Sequence, residues 1–338
     1  MLKKTFFFII ILSLSLVYLA AGQTSKVGTT SAQLLKIGVG SRAVAMGEAF
    51  VSQANDISGV YWNPAGLVEA RNREAMFMHS NWLASMRFDF AGIIFPMGQN
   101  AGSIALFATM LSTPEDIVRT AYMPEGTGET FQAMDMVAGL AYARKFTDRL
   151  NIGMNIKYIR QSIWKMHGNT LAIDFGSIYQ TDFKNLRVGI SISNFGPALG
   201  IGGQSASLFI DPNPDFQGEY PAKAELQAKK WELPLIFRYG ISMNLVKLPK
   251  SRLTLASDLT HSNDVSEFVN VGGEYAVREK IFLRAGYRGL GMAEAEGGIT
   301  AGAGFTWNPG SSRLRINYAF VYYGRLEATH RYDLAVTF

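Results

Sequence analysis

From residue 73 to the C-terminus the chain repeats one pattern, in which apolar side chains alternate with polar or small ones over segments of about ten residues. In one such segment Ile152, Met154 and Ile156 fall on one face, and Asn155 and Lys157 fall on the other. A period of two is typical of β-strands with one apolar and one polar face. The pattern therefore predicts a chain built almost entirely of amphipathic strands.

Turn signals separate about 14 of these segments, a number of strands that exists in outer-membrane barrels. Strands of about ten residues are longer than the usual 5–6 of soluble sheets and match tilted strands that cross a bilayer. Lipid offers no partner for an unpaired N–H or C=O, so such strands must close into a ring. Residues 73–338 are thus predicted to form an all-β fold, a transmembrane antiparallel β-barrel with its apolar face in outer-membrane lipid. The predicted strands begin near residues 73, 87, 101, 133, 150, 168, 184, 232, 251, 266, 279, 296, 312 and 329.

The connections fit the same prediction. Those after even-numbered strands are short, as at Pro249-Lys250, whereas the two longest, roughly 111–132 and 196–231, both follow odd-numbered strands. Outer-membrane barrels have short periplasmic turns and long outer loops. The chain ends on Phe338 after an alternating stretch, which resembles the C-terminal signal read by the outer-membrane barrel assembly machinery.

Residues 1–22 have the organisation of a cleaved signal peptide. Lys3 and Lys4 form a basic start, an apolar run spans 6–19, and small residues precede a predicted cleavage site before Gln23. The alternative is a membrane anchor, but the apolar run is short. No cysteine follows the predicted cleavage site, which excludes a lipoprotein anchor. We therefore expect export to the cell outer membrane as an integral protein.

Composition excludes several kinds of chemistry. The chain has no cysteine, and without residues 1–22 its net charge is 30 − 27 = +3, too small and too dispersed to indicate nucleic-acid binding. No nucleotide-binding, zinc-protease or serine-hydrolase motif occurs. We expect no catalytic residue, no metal site and no cofactor. The four histidines lie in different segments without ligand spacing: His79, His167, His261 and His330.

Residues 23–72 lack the period of two, and the stretch 38–67 is rich in glycine and small residues. Residues 32–37 are predicted to form a short amphipathic helix. The runs Gly40 to Phe50, Asp56 to Ser58 and Tyr61 to Gly66 resemble the PorV/PorQ-type branch of the FadL superfamily of outer-membrane barrels. This resemblance implies a 14-stranded barrel whose N-terminal segment, residues 23–72, folds into the lumen as a plug. The plug motif comprises Gly40, Arg42, Met46, Gly47, Asp56, Trp62, Asn63, Pro64 and Ala65.

A plug also has a physical rationale, because a ring of this many strands is too wide for side chains alone to fill. Arg42 and Glu48 are then expected to pair with charges of the wall, and the turn at residues 63–65 is expected near the periplasmic mouth. The alternative is a periplasmic loop that merely precedes the first strand, although loops of this length are uncommon.

Two functions remain open. A PorV-like protein would be a component of type IX secretion, a platform that binds exported cargo proteins or partner components. A FadL-type protein would transport long-chain fatty acids or other hydrophobic small molecules and release them sideways. The loop 196–231 carries apolar residues suited to a protein partner or to a ligand, unless the loop packs on its own rim. These loop residues are Leu208, Phe209, Ile210, Phe216, Tyr220 and Trp231.

Overall fold

The computed structural model describes residues 28–98, 101–183, 185–210, 222–292 and 297–338. The predicted signal peptide, residues 1–22, lies outside these ranges and stays a prediction. In the described ranges no helix is long and apolar enough to span a membrane.

Fourteen antiparallel strands of the described chain form a closed barrel, in which each strand pairs with its neighbours in sequence and the first pairs with the last. The predicted starts agree with the observed ones to within four residues, the largest difference being 232 against Ile236. The strands are β1 Glu74–Asn81, β2 Arg87–Pro96, β3 Ser103–Ser112, β4 Ala133–Lys145, β5 Leu150–Ile163, β6 Met166–Gln180, β7 Arg187–Phe195, β8 Ile236–Leu248, β9 Ser251–Ser262, β10 Val265–Val277, β11 Ile281–Leu290, β12 Ile299–Trp307, β13 Arg313–Tyr322 and β14 Ala328–Thr337.

The alternation along each strand separates the two faces of the wall. On β5 the side chains of Ile152, Met154 and Ile156 are 41%, 37% and 46% exposed, whereas Asn155 and Lys157 are 0% and 6% exposed. Exposed apolar residues on a barrel wall face lipid, and the buried polar residues face the lumen. The predicted orientation of the strands is confirmed.

The two long connections, 113–132 and 196–235, follow the odd-numbered strands β3 and β7 and therefore lie on the same rim, here called the outer rim. The opposite, periplasmic rim carries short turns such as residues 249–250. The outer connections contain short strands and 3₁₀ turns: Leu83–Ser85, Asp116–Ile117, Thr130–Phe131, Gly202–Gly203, Gln204–Ala206, Ser207–Ile210, Ala222–Glu225 and Gly324–Leu326.

Residues 32–69, here called the plug, lie inside the barrel, and nearly all of residues 32–67 are buried. The plug contains the 3₁₀ turns Gln33–Lys36 and Pro64–Glu69 and the one-turn helices α1 Ser41–Ala45 and α2 Gly59–Trp62. The helix predicted over residues 32–37 is therefore a 3₁₀ turn. The burial of residues 32–67 favours a plug over a periplasmic loop that merely precedes the first strand.

Candidate functional site: the plugged lumen

Wall glycines allow the plug backbone to lie directly against the barrel. A Cβ atom on Gly272 of β10 would lie 2.0 Å from the carbonyl oxygen of Met46, and one on Gly286 of β11 would lie 2.3 Å from the amide nitrogen of Gly47. No side chain fits at such distances, so the close approach requires glycine. Across the lumen the same holds for Gly153 and Gly189, and a Cβ on Gly176 would lie 2.1 Å from the side-chain oxygen of Asn63.

Wall carboxylates satisfy the irregular backbone of the plug. One oxygen of Asp258 accepts hydrogen bonds from the N–H groups of Phe50, at 2.7 Å, and Val51, at 2.8 Å. Asp333 accepts a bond of 2.6 Å from the N–H of Ser41. Buried N–H groups outside regular secondary structure need such partners. The inward charges of the strands thus hold the plug in one position.

A buried ion-pair network joins the plug to the strands. Arg42 lies 3.0 Å from Glu274 of β10, which also pairs at 2.8 Å with Arg284 of β11. Glu48 was expected to pair with a charge of the wall, and this charge is Arg288, at 3.8 Å.

Asp56 belongs to the same network, 3.4 Å from Arg42. Burial alone would raise the pKa of Asp56, but the guanidinium groups of Arg315 and Arg42 outweigh burial and hold it below its usual range. Asp56 is therefore a carboxylate at neutral pH, and the network holds opposite charges rather than neutral groups.

The Trp62-to-Ala65 turn closes the plug on the side of β5 to β7. The indole N–H of Trp62 donates to the carbonyl oxygen of Val39 at 2.7 Å. The Asn63 side chain accepts from the N–H of Ala65 at 3.1 Å and donates to the carbonyl oxygen of Ser177 at 2.9 Å. Because Ser177 lies near the periplasmic end of β6, the turn lies in the periplasmic half of the lumen, as expected.

A small cavity of about 20 Å³ lies between the plug and the inner faces of β2 to β5, β7 and β8. Such a volume holds about one water molecule. The wall of the cavity contains both apolar and polar side chains. The apolar lining consists of Leu34, Leu35, Ile37, Val39, Val60, Phe90, Phe107 and Val137, and the polar lining of Tyr61, Thr109, Lys157, Ser193, Asn194 and Arg238.

The two cations of this cavity differ in their partners. Lys157 lies 2.7 Å from Asp174, so its charge is neutralised. Arg238 is only 5% exposed, and its polar contacts are the Tyr61 hydroxyl and the Ser193 hydroxyl, both at 3.5 Å. In the described part of the chain no carboxylate forms an ion pair with Arg238.

Two neighbours of Arg238 could balance its charge but form no ion pair with it. Burial raises the pKa of Tyr61 to about 12, so its phenol is neutral at physiological pH. On the adjacent strand, one oxygen of Asp258 accepts from the plug backbone, and the carboxylate forms no ion pair with Arg238. Arg238 instead packs its guanidinium over the rings of Tyr61, at 5.2 Å, and Trp62, at 5.4 Å.

The structure brings the predicted plug motif together but not the predicted loop residues. Leu208, Phe209 and Ile210 lie on a small hairpin of the outer loop, away from the plug motif, and Trp231 forms a separate backbone bridge with Leu199. Phe216 and Tyr220 lie outside the described residues.

The sequence does not single out the cavity. Its apolar lining in residues 34–39 comes from a stretch expected only to be a helix, and Phe107 and Arg238 come from separate strands. Strand parity does identify Arg238 as inward, but parity carries no information on which charges remain unpaired.

Solved structures with the same architecture are outer-membrane channels. The Pseudomonas putida toluene transporter TodX matches with a TM-score of 0.55 and 11% identity over 88% of this chain and 97% of that one. The CymD monoaromatic hydrocarbon channel matches with a TM-score of 0.54 and 13% identity over 89% and 98%. A Pseudomonas aeruginosa FadL homologue matches with a TM-score of 0.51 and 9% identity over 86% and 97%.

The chain has the FadL-like outer-membrane barrel fold. These structural neighbours are outer-membrane transport channels and not enzymes. No protein-family model matches the chain, and comparison with curated proteins finds no match. The FadL-like fold is therefore supported, whereas the narrower PorV/PorQ-type branch is not.

Proposed function

We propose that this FadL-like barrel transports hydrophobic small molecules that carry an anionic headgroup. The observation that carries the proposal is the buried guanidinium of Arg238, which faces an apolar cavity without a carboxylate partner in the described chain. A buried, unpaired charge is costly. A ligand carboxylate would supply the missing counterion and form two parallel hydrogen bonds with the guanidinium.

The apolar residues that line the cavity suit the tail of such a ligand. The present volume of about 20 Å³ is far too small for it, so binding requires the plug residues around Leu34 and Leu35 to move. The names of the neighbours refer to toluene and monoaromatic hydrocarbons, which supports the hydrophobic class. A pure hydrocarbon would leave Arg238 unpaired, and for this reason we favour an acid.

Phe107 marks a route for sideways release. It lines the lumenal cavity, and it also borders a groove of about 580 Å³ on the lipid face of β14, β1, β2 and β3. Small outward side chains, Ala75, Ala91 and Ala108, line this groove. A rearrangement at Phe107 would connect the lumen with the hydrocarbon region without opening a water path.

The test compares an acid with its alcohol. Purified protein should bind palmitate more tightly than hexadecanol, measured by displacement of a fluorescent fatty acid. Arg238→Gln should weaken palmitate binding about tenfold or more and leave hexadecanol unchanged, since only the acid makes a charged hydrogen bond. Arg160→Gln, at an exposed outward cation, is the control. Equal affinities for both ligands in the unaltered protein would refute the anionic headgroup, and no binding of either would refute the transporter.

A platform for exported proteins is the second candidate, and one observation favours it. Phe209 and Ile210 are exposed on the hairpin of the outer loop, where a protein partner has access. The solved channels named above give this proposal no support. Deleting residues 207–225 should abolish export of cargo proteins if the platform is real and leave palmitate binding intact. Unchanged export would eliminate the platform.

A further inference from the structure

The periplasmic rim carries many exposed cations without a counterion. They lie before β1, at the ends of β4 and β8, in the turns after β8 and β10, and at the start of β13, so they surround the barrel. In the described ranges none of them forms an ion pair. They are Arg71, Arg73, Arg144, Lys145, Lys247, Lys250, Arg278, Lys280 and Arg313.

The carboxylates of this rim are already neutralised. Arg149 pairs with Asp182 at 2.6 Å, and Arg252 pairs with Glu279 at 2.8 Å. Two more acids at the periplasmic end pair with cations of neighbouring elements, Glu69 with Arg187 and Glu74 with Arg315. Among the side chains of the described residues of the rim, only Asp148 is left as an exposed carboxylate without an ion pair. The periplasmic rim therefore has a strong excess of positive charge.

The outer rim is balanced by comparison. In the part of the chain that the structure describes, its exposed cations without an ion pair are matched by as many exposed acids. The cations are Arg87, Arg160, Lys223, Lys229 and Lys230, and the acids are Glu115, Glu125, Glu225, Glu232 and Glu327. The excess at the periplasmic rim is thus a local property and does not follow from the small net charge of the chain.

The cations lie next to exposed apolar side chains of the barrel wall. Phe146 follows Lys145, and Ile281 follows Lys280. At the end of the chain the N–H of the exposed Phe338 donates to the carbonyl oxygen of Arg73 at 2.9 Å. Long basic side chains next to apolar ones extend their charges to the membrane surface.

We infer that the periplasmic rim binds anionic phospholipid headgroups of the inner leaflet. The cations encircle the barrel and do not form a patch on one side, which fits a shell of lipids better than one docked acidic protein. Each Lys or Arg close to an anionic membrane surface adds attraction that falls off within a Debye length. The inference depends on the barrel and its orientation only, and not on the transported compound.

Trp307 provides a reporter for this shell, because it is exposed on the outward face at the periplasmic end of β12. The full chain, with Trp164→Phe and Trp231→Phe to remove the exposed tryptophans of the outer rim, is reconstituted into vesicles of phosphatidylcholine and phosphatidylglycerol. One of the two lipids carries brominated chains, which quench tryptophan on contact. We expect a preference for phosphatidylglycerol of about fivefold or more, the factor that one cation near an anionic surface supplies. This preference should decrease at 1 M salt, roughly the concentration at which the Debye length is about 3 Å.

A matched pair of variants locates the effect. Replacing Arg73, Arg144, Lys250 and Lys280 with Gln should strongly reduce the preference. Replacing Arg87, Arg160, Lys223 and Lys230 with Gln removes equal charge from the outer rim and should leave the preference intact. Heat-modifiable gel migration verifies folding of both variants. The inference is overturned if the parent shows no preference, if both variants lose it equally, or if the parent binds soluble polyglutamate but does not distinguish the lipids.

Discussion

The guanidinium of Arg42 in the plug lies 3.0 Å from the carboxylate of Glu274 on β10, and both side chains are buried. Glu274 also neutralises Arg284, at 2.8 Å, and Arg252, at 3.0 Å. One acid of the wall thus contacts three cations, of which one belongs to the plug. The plug and the barrel therefore stabilise each other and are expected to unfold together.

Glu274→Gln should destabilise the barrel more than Arg42→Gln. Removing one partner of a buried ion pair typically costs about 3–5 kcal/mol, because the other charge stays buried without compensation. The Glu274 variant leaves Arg284 buried without an acidic partner and leaves Arg42 and Arg252 with one acid each, Asp56 and Glu279, whereas the Arg42 variant leaves a carboxylate that two arginines still neutralise. Urea unfolding followed by gel migration measures the difference. Arg119→Gln, which breaks an exposed pair with Asp116, should have little effect, and equal losses at positions 42 and 274 would contradict the network.

Adjacent glycines on β10 offer a test of the plug contact. A Cβ on Gly272 would collide with the Met46 carbonyl at 2.0 Å, whereas one on Gly273 faces outward and meets the flexible Leu255 side chain at 3.1 Å. Gly272→Ala should cost about 1–3 kcal/mol by overpacking and increase ion conductance as the plug is displaced. The Gly273→Ala variant should show no increase in ion conductance in planar bilayers. Equal conductance of the two variants would mean that the plug does not rest on the wall at residue 272.

The two faces of β9 should respond differently to substitution. Leu255 faces lipid in the middle of the strand, so Leu255→Arg should cost about 2–4 kcal/mol and impair insertion. Asp258 is buried in the lumen, and Asp258→Asn keeps an oxygen that accepts from the N–H groups of Phe50 and Val51. This second variant should therefore insert normally. Similar insertion yields in vesicles for both variants would contradict the strand orientation.

The N-terminal end of the plug should be less stably held at acidic pH and should be less protected from hydrogen exchange there. Asp264 accepts bonds from Lys36, at 2.7 Å, and Thr30, at 2.6 Å. Burial opposes ionisation, but these bonds outweigh it and hold the pKa of Asp264 below its ordinary value. Because the folded pKa is below the unfolded value of about 3.9, the stabilisation is present above that value and is lost as the pH falls through the folded pKa. Hydrogen exchange at the Ser31 amide, which donates to the Glu232 carbonyl at 2.9 Å, should show less protection at pH 3 than at pH 7.

Asp264→Asn provides the control for this pH effect, because it removes the charge at every pH. The variant should show the reduced Ser31 protection already at pH 7, with no further loss in acid beyond the intrinsic exchange rate. Protection that is equal at both pH values in the unaltered protein would exclude Asp264 as the anchor.

Sequence by itself determined the barrel. Alternation such as that of Ile152 to Lys157 assigns each side chain to lipid or lumen, because a strand has a period of two and a bilayer tolerates only paired backbone. That local pattern determines the number of strands and the rim on which the two long loops lie. It also determines that Asp258 and Glu274 point inward. The plug was expected through the resemblance carried by residues 40–66.

Only the tertiary structure decided which inward charges pair and which do not. Arg238, Lys157 and Glu274 are alike in sequence terms, since each is a charge at an inward position of a strand. Whether a counterion lies within reach depends on distances across the lumen and on the path of an irregular plug, which no periodicity encodes. The unpaired state of Arg238, the fit of Gly272 against Met46 and the cavity between the plug and Phe107 are therefore properties of the folded chain alone.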